Sequence, residues 1–324
     1  HKPELLRLLN YEELTRIEHF INIGIERYEK LGDLQGSSLL TSEKSLRTLC
    51  RIIKRNAKRD HLFYQEIRCS PCNYESPEMN AEKVIDILYD ELSHYESCIF
   101  KLIIIGSRHG NPVVLDKHVR LAVACKDKYP DFIVGFDLAG NESANEPEKL
   151  RTQFLPLMER CIRLTIHAGE TAPVDNIWQA VYHLSADRIG HGLYLRDNQE
   201  LFNRFKNSKI AVELCPGSNY QIVGFRDYTR PESASYPGYP LKAYLQENIK
   251  VTINTDDPGI SLTNINEEYI KAIQLSEGDL SLWEILKIIR NGFKASFMEY
   301  DEKEKVIKKV EEIIINQIKE YYHD

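Results

Sequence analysis

The chain has 324 residues, 42% of them hydrophobic, and a formal net charge of −7. It is long for one ordinary domain and suits a single α/β barrel, a fold that commonly runs to about 250 residues or more. The mild acidity and the lack of a basic block argue against bulk nucleic acid as a partner, and no apolar run approaches the ~18–20 residues of a membrane span.

In chain order, residues 3–30 read as helix, because Leu5, Leu6, Leu8, Leu9, Leu14, Ile17, Phe20, Ile21 and Ile25 recur mostly at intervals of three and four. Apolar runs of strand length follow at 63–68, 98–105, 131–138, 163–167, 187–190, 209–214 and 249–254. Amphipathic segments at 81–92, 115–128, 147–159, 174–184, 198–205 and 240–247 lie between them. The tail over 280–322 reads as helices only. Strand–helix alternation with near-continuous apolar strands implies a parallel sheet covered by helices. The seven cysteines are scattered and odd in number, as expected of reduced thiols in a cytoplasmic protein. Cys69-x-x-Cys72 has no second pair and reads as a strand-end turn.

The predicted class is therefore α/β, a TIM-type (β/α)8 barrel with extra C-terminal helices, spanning residues 1–324 as one domain. The first strand is missing from the count. A barrel short of one strand has two unpaired edges with unmet backbone hydrogen bonds. The expectation is that the chain is the C-terminal part of a longer polypeptide, with that strand just upstream of His1.

Four polar clusters follow apolar runs: His167-Ala168-Gly169-Glu170, Ile189-Gly190-His191-Gly192, Cys215-Pro216-Gly217-Ser218-Asn219 and Asn254-Thr255-Asp256-Asp257-Pro258. Polar clusters at neighbouring strand ends are the layout of an active site on the top face of such a barrel. Singly, each has a bland reading. His167 could be a hydrogen-bonded core histidine, Glu170 a first-turn helical glutamate, His191 part of a turn, and Asp256-Asp257-Pro258 a helix cap. Independent turns and caps have no reason to combine two histidines, a glutamate and an aspartate. Imidazole and carboxylate ligands suit zinc or a similar first-row metal with an open position for water. The metal would lower the pKa of that water toward about 7. Glu170, His191 and one aspartate would then manage protons.

The series resembles the adenosine deaminase family of metal-dependent hydrolases over nearly the whole chain. The resemblance includes Tyr64-Gln65-Glu66-Ile67-Arg68-Cys69-Ser70-Pro71 and Gly135-Phe136-Asp137-Leu138-Ala139-Gly140-Asn141-Glu142, as well as the four clusters above. It implies Zn2+ as cofactor, with His167 and Asp256 as ligands. It implies that Glu170 protonates the purine N1 as hydroxide attacks C6, and that His191 orients or stabilises the zinc-bound hydroxide. Asp257 would hydrogen-bond N7, the Gly140 backbone N–H would face N3, and Asp137 is counted with Gly140 among the substrate-binding residues. The products would be a 6-oxopurine and ammonia.

The family's His-x-His pair at the end of the first strand is not found. Asp33-Leu34-Gln35-Gly36-Ser37 echoes the residues that follow it, but no histidine is adjacent. The stretches Gly32-Asp33-Leu34-Gln35-Gly36-Ser37-Ser38, Tyr220-Gln221-Ile222-Val223-Gly224-Phe225 and Asp257-Pro258-Gly259-Ile260-Ser261 look more like the deaminase domains of antiphage-defence proteins. These include the CRISPR-associated adenosine deaminases, in which a nucleotide-sensing domain precedes the barrel. That likeness implies a nucleotide substrate such as ATP and an upstream regulatory domain, and is compatible with a homo-oligomer. Arg68, Arg108, His109, Arg226 and Arg230 are candidate phosphate contacts, with ordinary structural roles as the equal alternative. Two further readings compete with an adenosine or ATP deaminase. One is an enzyme acting on another aminopurine, or an amidohydrolase, on the same barrel. The other is a catalytically silent barrel that serves as a binding or assembly module.

Overall fold

A computed structural model describes residues 20–32 and 36–323. Its centre is one parallel sheet of seven strands in sequential order. These are β1 (Tyr64–Cys69), β2 (Ile99–Ser107), β3 (Ile133–Ala139), β4 (Arg163–Ala168), β5 (Arg188–His191), β6 (Ala211–Leu214) and β7 (Lys250–Ile253). Each lies within two residues of its predicted position. The strands form because their runs are rich in β-branched and aromatic residues and are covered on both faces. Every residue of β5 and β6 is buried.

The sheet is curled. In a flat sheet β1 and β6 would lie about 24 Å apart, five steps of ~4.8 Å. Instead Arg68 Nη2 of β1 meets Glu213 Oε1 of β6 at 2.5 Å across the interior. Among the described residues β1 and β7 do not pair with each other. The expected further strand would fall in the gap between them.

Helices α1 (Ile25–Gly32) and α2 (Glu43–Arg59) precede β1, and those between strands are α3 (Ala81–Leu92), α4 (Pro112–Lys128), α5 (Arg151–Glu159), α6 (Val174–His183), α7 (Gln199–Ser208), α8 (Pro216–Ile222) and α9 (Leu241–Gln246). After β7 come α10 (Pro258–Ser261), α11 (Ile265–Gln274), α12 (Leu282–Ala295) and α13 (Tyr300–His323). Asparagine caps start α3, α4 and α7 by accepting a backbone N–H two or three residues on, as Asn80 does from Lys83 at 2.9 Å. The C-terminal helices close the floor of the sheet. The Ala295 carbonyl accepts from Arg188 Nη1 at 3.0 Å, the Phe297 amide donates to Glu66 Oε1, and the Phe297 ring lies 3.6 Å from the Arg188 guanidinium. No described helix is long and apolar enough to cross a membrane, and all seven cysteines are free thiols.

The helix expected over residues 3–30 needs correction. Residues 3–19 lie outside the described residues, and helix begins only at Ile25. Asn22 and Gly24 have φ of 54° and 79°, a region open mainly to Asn and Gly. The amides of Asn22, Ile23 and Gly24 donate to the carbonyls of Tyr220, Gln221 and Ile222. Tertiary pairing thus takes the hydrogen bonds that a helix would use.

Candidate active site

The predicted cluster assembles where the strands end. His167 is the penultimate residue of β4, His191 ends β5, and Asp256 follows β7. Ligand atoms of these three lie within 4.8 Å of one another, and among the described residues they are the only such group of three. His191 and Asp256 hold φ of 62° and 52°. Left-handed backbone at non-glycine positions is costly and persists where the surroundings impose it, commonly at functional sites. Gly169 sits at φ 72°, and a Cβ there would lie 2.5 Å from Ile177 Cδ1, so the turn that presents Glu170 requires glycine.

Hydrogen bonds separate the roles of the two histidines. His167 Nδ1 lies 2.9 Å from Asp137 Oδ1 and donates to it, so Nε2 is the nitrogen left for a ligand that displaces its proton. A carboxylate behind an imidazole is the arrangement that orients a metal ligand. His191 differs. Asn219 Oδ1 accepts from the Cys215 amide and from the Tyr239 hydroxyl, and that network assigns the Asn219 amide NH2 to His191 Nδ1, at 2.9 Å. Nδ1 of His191 is therefore an acceptor, and its proton sits on Nε2. Proximity alone would make His191 a third metal ligand, but this tautomer makes it a hydrogen-bond donor to whatever occupies the site.

Charge follows geometry. Burial pulls the His167 pKa down, but the Asp137 charge and hydrogen bond, with Asp256, outweigh it and raise it to about 9. Burial and then repulsion from His167 lower His191 to about 4, in keeping with a neutral ring. Burial, then Asp256, pushes the Glu170 carboxyl well above the usual range. Its Oε1 is buried without a hydrogen-bond partner and lies 3.4 Å from His191 Nδ1. Burial of the Asp257 carboxyl, then Asp256, raises it to about 7. The residue as a whole is exposed at the rim, so water limits that rise.

The family model for adenosine deaminase matches residues 12–313. The chain belongs to the adenosine deaminase family. It is 31% identical to an adenosine deaminase of Clostridium acetobutylicum over 259 residues, 79% of this chain and 73% of that one. An Enterococcus faecalis adenosine deaminase is 28% identical over 84% of this chain and 78% of its own. Among solved structures, an adenine deaminase from Arthrobacter aurescens superposes with a TM-score of 0.76 at 21% identity, covering 96% of this chain and 94% of that one. An amidohydrolase from Burkholderia ambifaria with bound Zn superposes at 0.71 and 20% identity, over 97% and 88%. These likenesses place the fold among the deaminase barrels.

The donors fit the family's metal. Ligand atoms of His167 and Asp256 converge, the His167 imidazole is oriented by Asp137, and the carboxyls of Glu170, Asp256 and Asp257 repel one another in one site. A tight zinc site uses three or four protein ligands. The His-x-His pair that would complete it is not among the described residues, and Asp33, Leu34 and Gln35 of the echo lie outside them.

Other expectations fare unevenly. Gly140 ends the β3 turn at φ 105°, where a Cβ would meet His109 Nε2 at 2.6 Å. Asp137, expected among the substrate-binding residues, is fully buried, with one oxygen on His167 and the other on Arg68 Nη1 at 3.0 Å. Arg68 is committed to Asp137 and Glu213. Arg108 gives Nη2 to the His167 carbonyl and has Nε and Nη1 without a partner, but at 1% exposure it is sealed from the surface. His109 pairs with Glu29 at 3.1 Å, and Arg226 is exposed over the Tyr228 ring. Arg230 lies 3.8 Å from Asp227.

Glu142 and Asn219 stand inside the motifs, yet no role is assigned to them from sequence. The Glu142 carboxylate accepts the amides of Gly169, Glu170 and Thr171 at 2.7, 2.7 and 3.0 Å, and so fixes the turn that carries Glu170.

Proposed function

We propose that this barrel hydrolyses the 6-amino group of an adenine nucleoside or nucleotide, giving the inosine form and ammonia. The observation that carries the reading is the placement of Glu170, with a buried carboxyl oxygen lacking any partner, beside His191, His167 and Asp256. When bound, Zn2+ at His167 and Asp256 would supply Lewis acidity toward water.

The chain's own groups do the rest. Glu170, held protonated by burial, gives its proton to a ring nitrogen of the purine. Placing a proton on N1 lets the ring accept electron density as C6 becomes tetrahedral. His191 donates from Nε2 toward the attacking oxygen, because Asn219 occupies Nδ1. Asp257, at the rim with a raised pKa, is able to donate to N7. The Glu170 carboxylate then takes a proton from the attacking oxygen and passes it to the amino group, which leaves C6 as ammonia with the oxygen retained.

The likeness of the Asp257–Ser261 stretch to defence-associated deaminases supports a nucleotide substrate, with ATP the first to try. The test is the ultraviolet change from adenine to hypoxanthine with adenosine, AMP, ATP and adenine, alongside the zinc content of the same preparation. Turnover of one of these with bound zinc is the expected result. Bound zinc with no turnover of any would remove the reading.

A further inference from the structure

The opposite end of the barrel carries a second concentration of charge. Strands β4, β5 and β7 begin at Arg163, Arg188 and Lys250, and these residues line two adjoining cavities of about 150 and 480 Å3. Both cavities are bounded by Lys209, Lys250 and Lys294. Arg163 and His167 are four residues apart on β4, so about 13 Å, at ~3.3 Å per residue, separates this end from the metal cluster.

Several lysines elsewhere on the surface find carboxylates. Lys54 meets Glu91 and Lys128 meets Asp86, each at 2.8 Å. Here they do not. The one acid lining the cavities is Asp187, and its Oδ2 already accepts the Leu164 amide. Among the described residues Lys209, Lys250 and Lys294 have no carboxylate at ion-pair distance. Burial holds Lys250 below the usual lysine range, and Lys294 and Lys209 push it lower. Lys303 is lowered by burial and then by Arg163. A chain of net charge −7 thus gathers mutually repelling cations around a concave space, an arrangement an anion would relieve.

We propose that this face binds a polyphosphate, either inorganic triphosphate or the triphosphate arm of a nucleotide, at a site separate from the catalytic mouth. Several ammonium groups spread over two joined cavities suit a chain of phosphates better than a single one. The larger cavity falls within the roughly 300–1,000 Å3 of small-molecule sites, which favours a compact ligand over a protein segment.

The test is calorimetric titration of the full chain with inorganic triphosphate at fixed ionic strength, with sodium sulfate as control. One saturable site is expected, unaffected by an adenosine analogue that fills the mouth. Lys250→Gln and Lys294→Gln would each weaken it about tenfold, the loss of one charge-assisted contact. Deamination at saturating substrate would be unchanged in both variants. Lys294 is exposed, so that variant tests the site even if Lys250→Gln folds poorly. Equal affinity for ATP and triphosphate would show that phosphates alone are read, and tighter ATP that the nucleoside adds contacts. No saturable heat, equal binding in both variants, or competition by the adenosine analogue would overturn the proposal. So would binding of polyglutamate but not triphosphate, in favour of an acidic protein segment.

Discussion

Asn219 Nδ2 donates to His191 Nδ1 at 2.9 Å, while Asn219 Oδ1 is held by the Tyr239 hydroxyl at 2.9 Å and the Cys215 amide at 3.2 Å. Three elements thus lock one amide, and the amide sets which nitrogen of His191 carries the proton. Asn219→Asp keeps the size and the acceptor but removes the donor. The new carboxylate would draw the imidazole proton to Nδ1 and leave Nε2 as an acceptor. A wrong imidazole tautomer in another hydrolase costs about 10⁴ in kcat, and a fall of similar order is expected here, with zinc content unchanged. Full activity in the Asn219→Asp variant would show that the tautomer is not set this way.

Glu170 is proposed as the proton donor, and removing its proton while keeping its shape isolates that role. Glu170→Gln should lower kcat by about 10²–10⁴, the usual contribution of a positioned acid. Because the side chain is buried and its Oε1 makes no hydrogen bond, the amide should cost little stability. The check is kcat beside the melting temperature. A large drop in the latter would mean that Glu170 acts through the fold.

Asp137 stands behind His167 and accepts from its Nδ1. Asp137→Asn keeps the outline but loses the charge that orients the imidazole and makes it a better ligand. Loss of such a partner weakens metal affinity by about 10–100-fold. Competition with a chelator of known affinity would measure it. Unchanged zinc affinity would leave Asp137 with only its bond to Arg68.

The strands are legible in the sequence because burial on both faces writes them as apolar runs, as in Leu102-Ile103-Ile104-Ile105 of β2. The site is legible as residue types because His167, Glu170, His191 and Asp256 sit at or just beyond the ends of such runs. Helix α2 is not, because its apolar face, Leu46, Cys50, Ile53 and Ala57, is narrow and set among lysines and arginines. Pairings that cross the fold leave no local mark. Arg68 meets Glu213 from 145 residues away, and Glu142 reaches the Glu170 turn from 28. The contact of Asp137 with His167, 30 residues on, is of the same kind.

Glu268, which feels the Asp256 charge but is not among the proposed metal donors, offers a test of stability against pH. It is 1% exposed on α11, where it accepts the Gly217 amide and the Thr263 hydroxyl, both at 2.8 Å. Burial raises its pKa from 4.5 to about 7 against those hydrogen bonds. A carboxyl whose folded pKa lies above its unfolded value binds more protons when folded. Its contribution is therefore complete below pH 4.5 and is lost as pH rises through 7. The shift corresponds to roughly 3 kcal/mol at most, at about 1.36 kcal/mol per pKa unit. Wild-type protein should lose stability between about pH 5 and pH 8, and Glu268→Gln, which cannot ionise, should lose less. Urea melts of both proteins at the two pH values decide it: parallel losses would mean that Glu268 ionises as freely in the fold as in the unfolded chain.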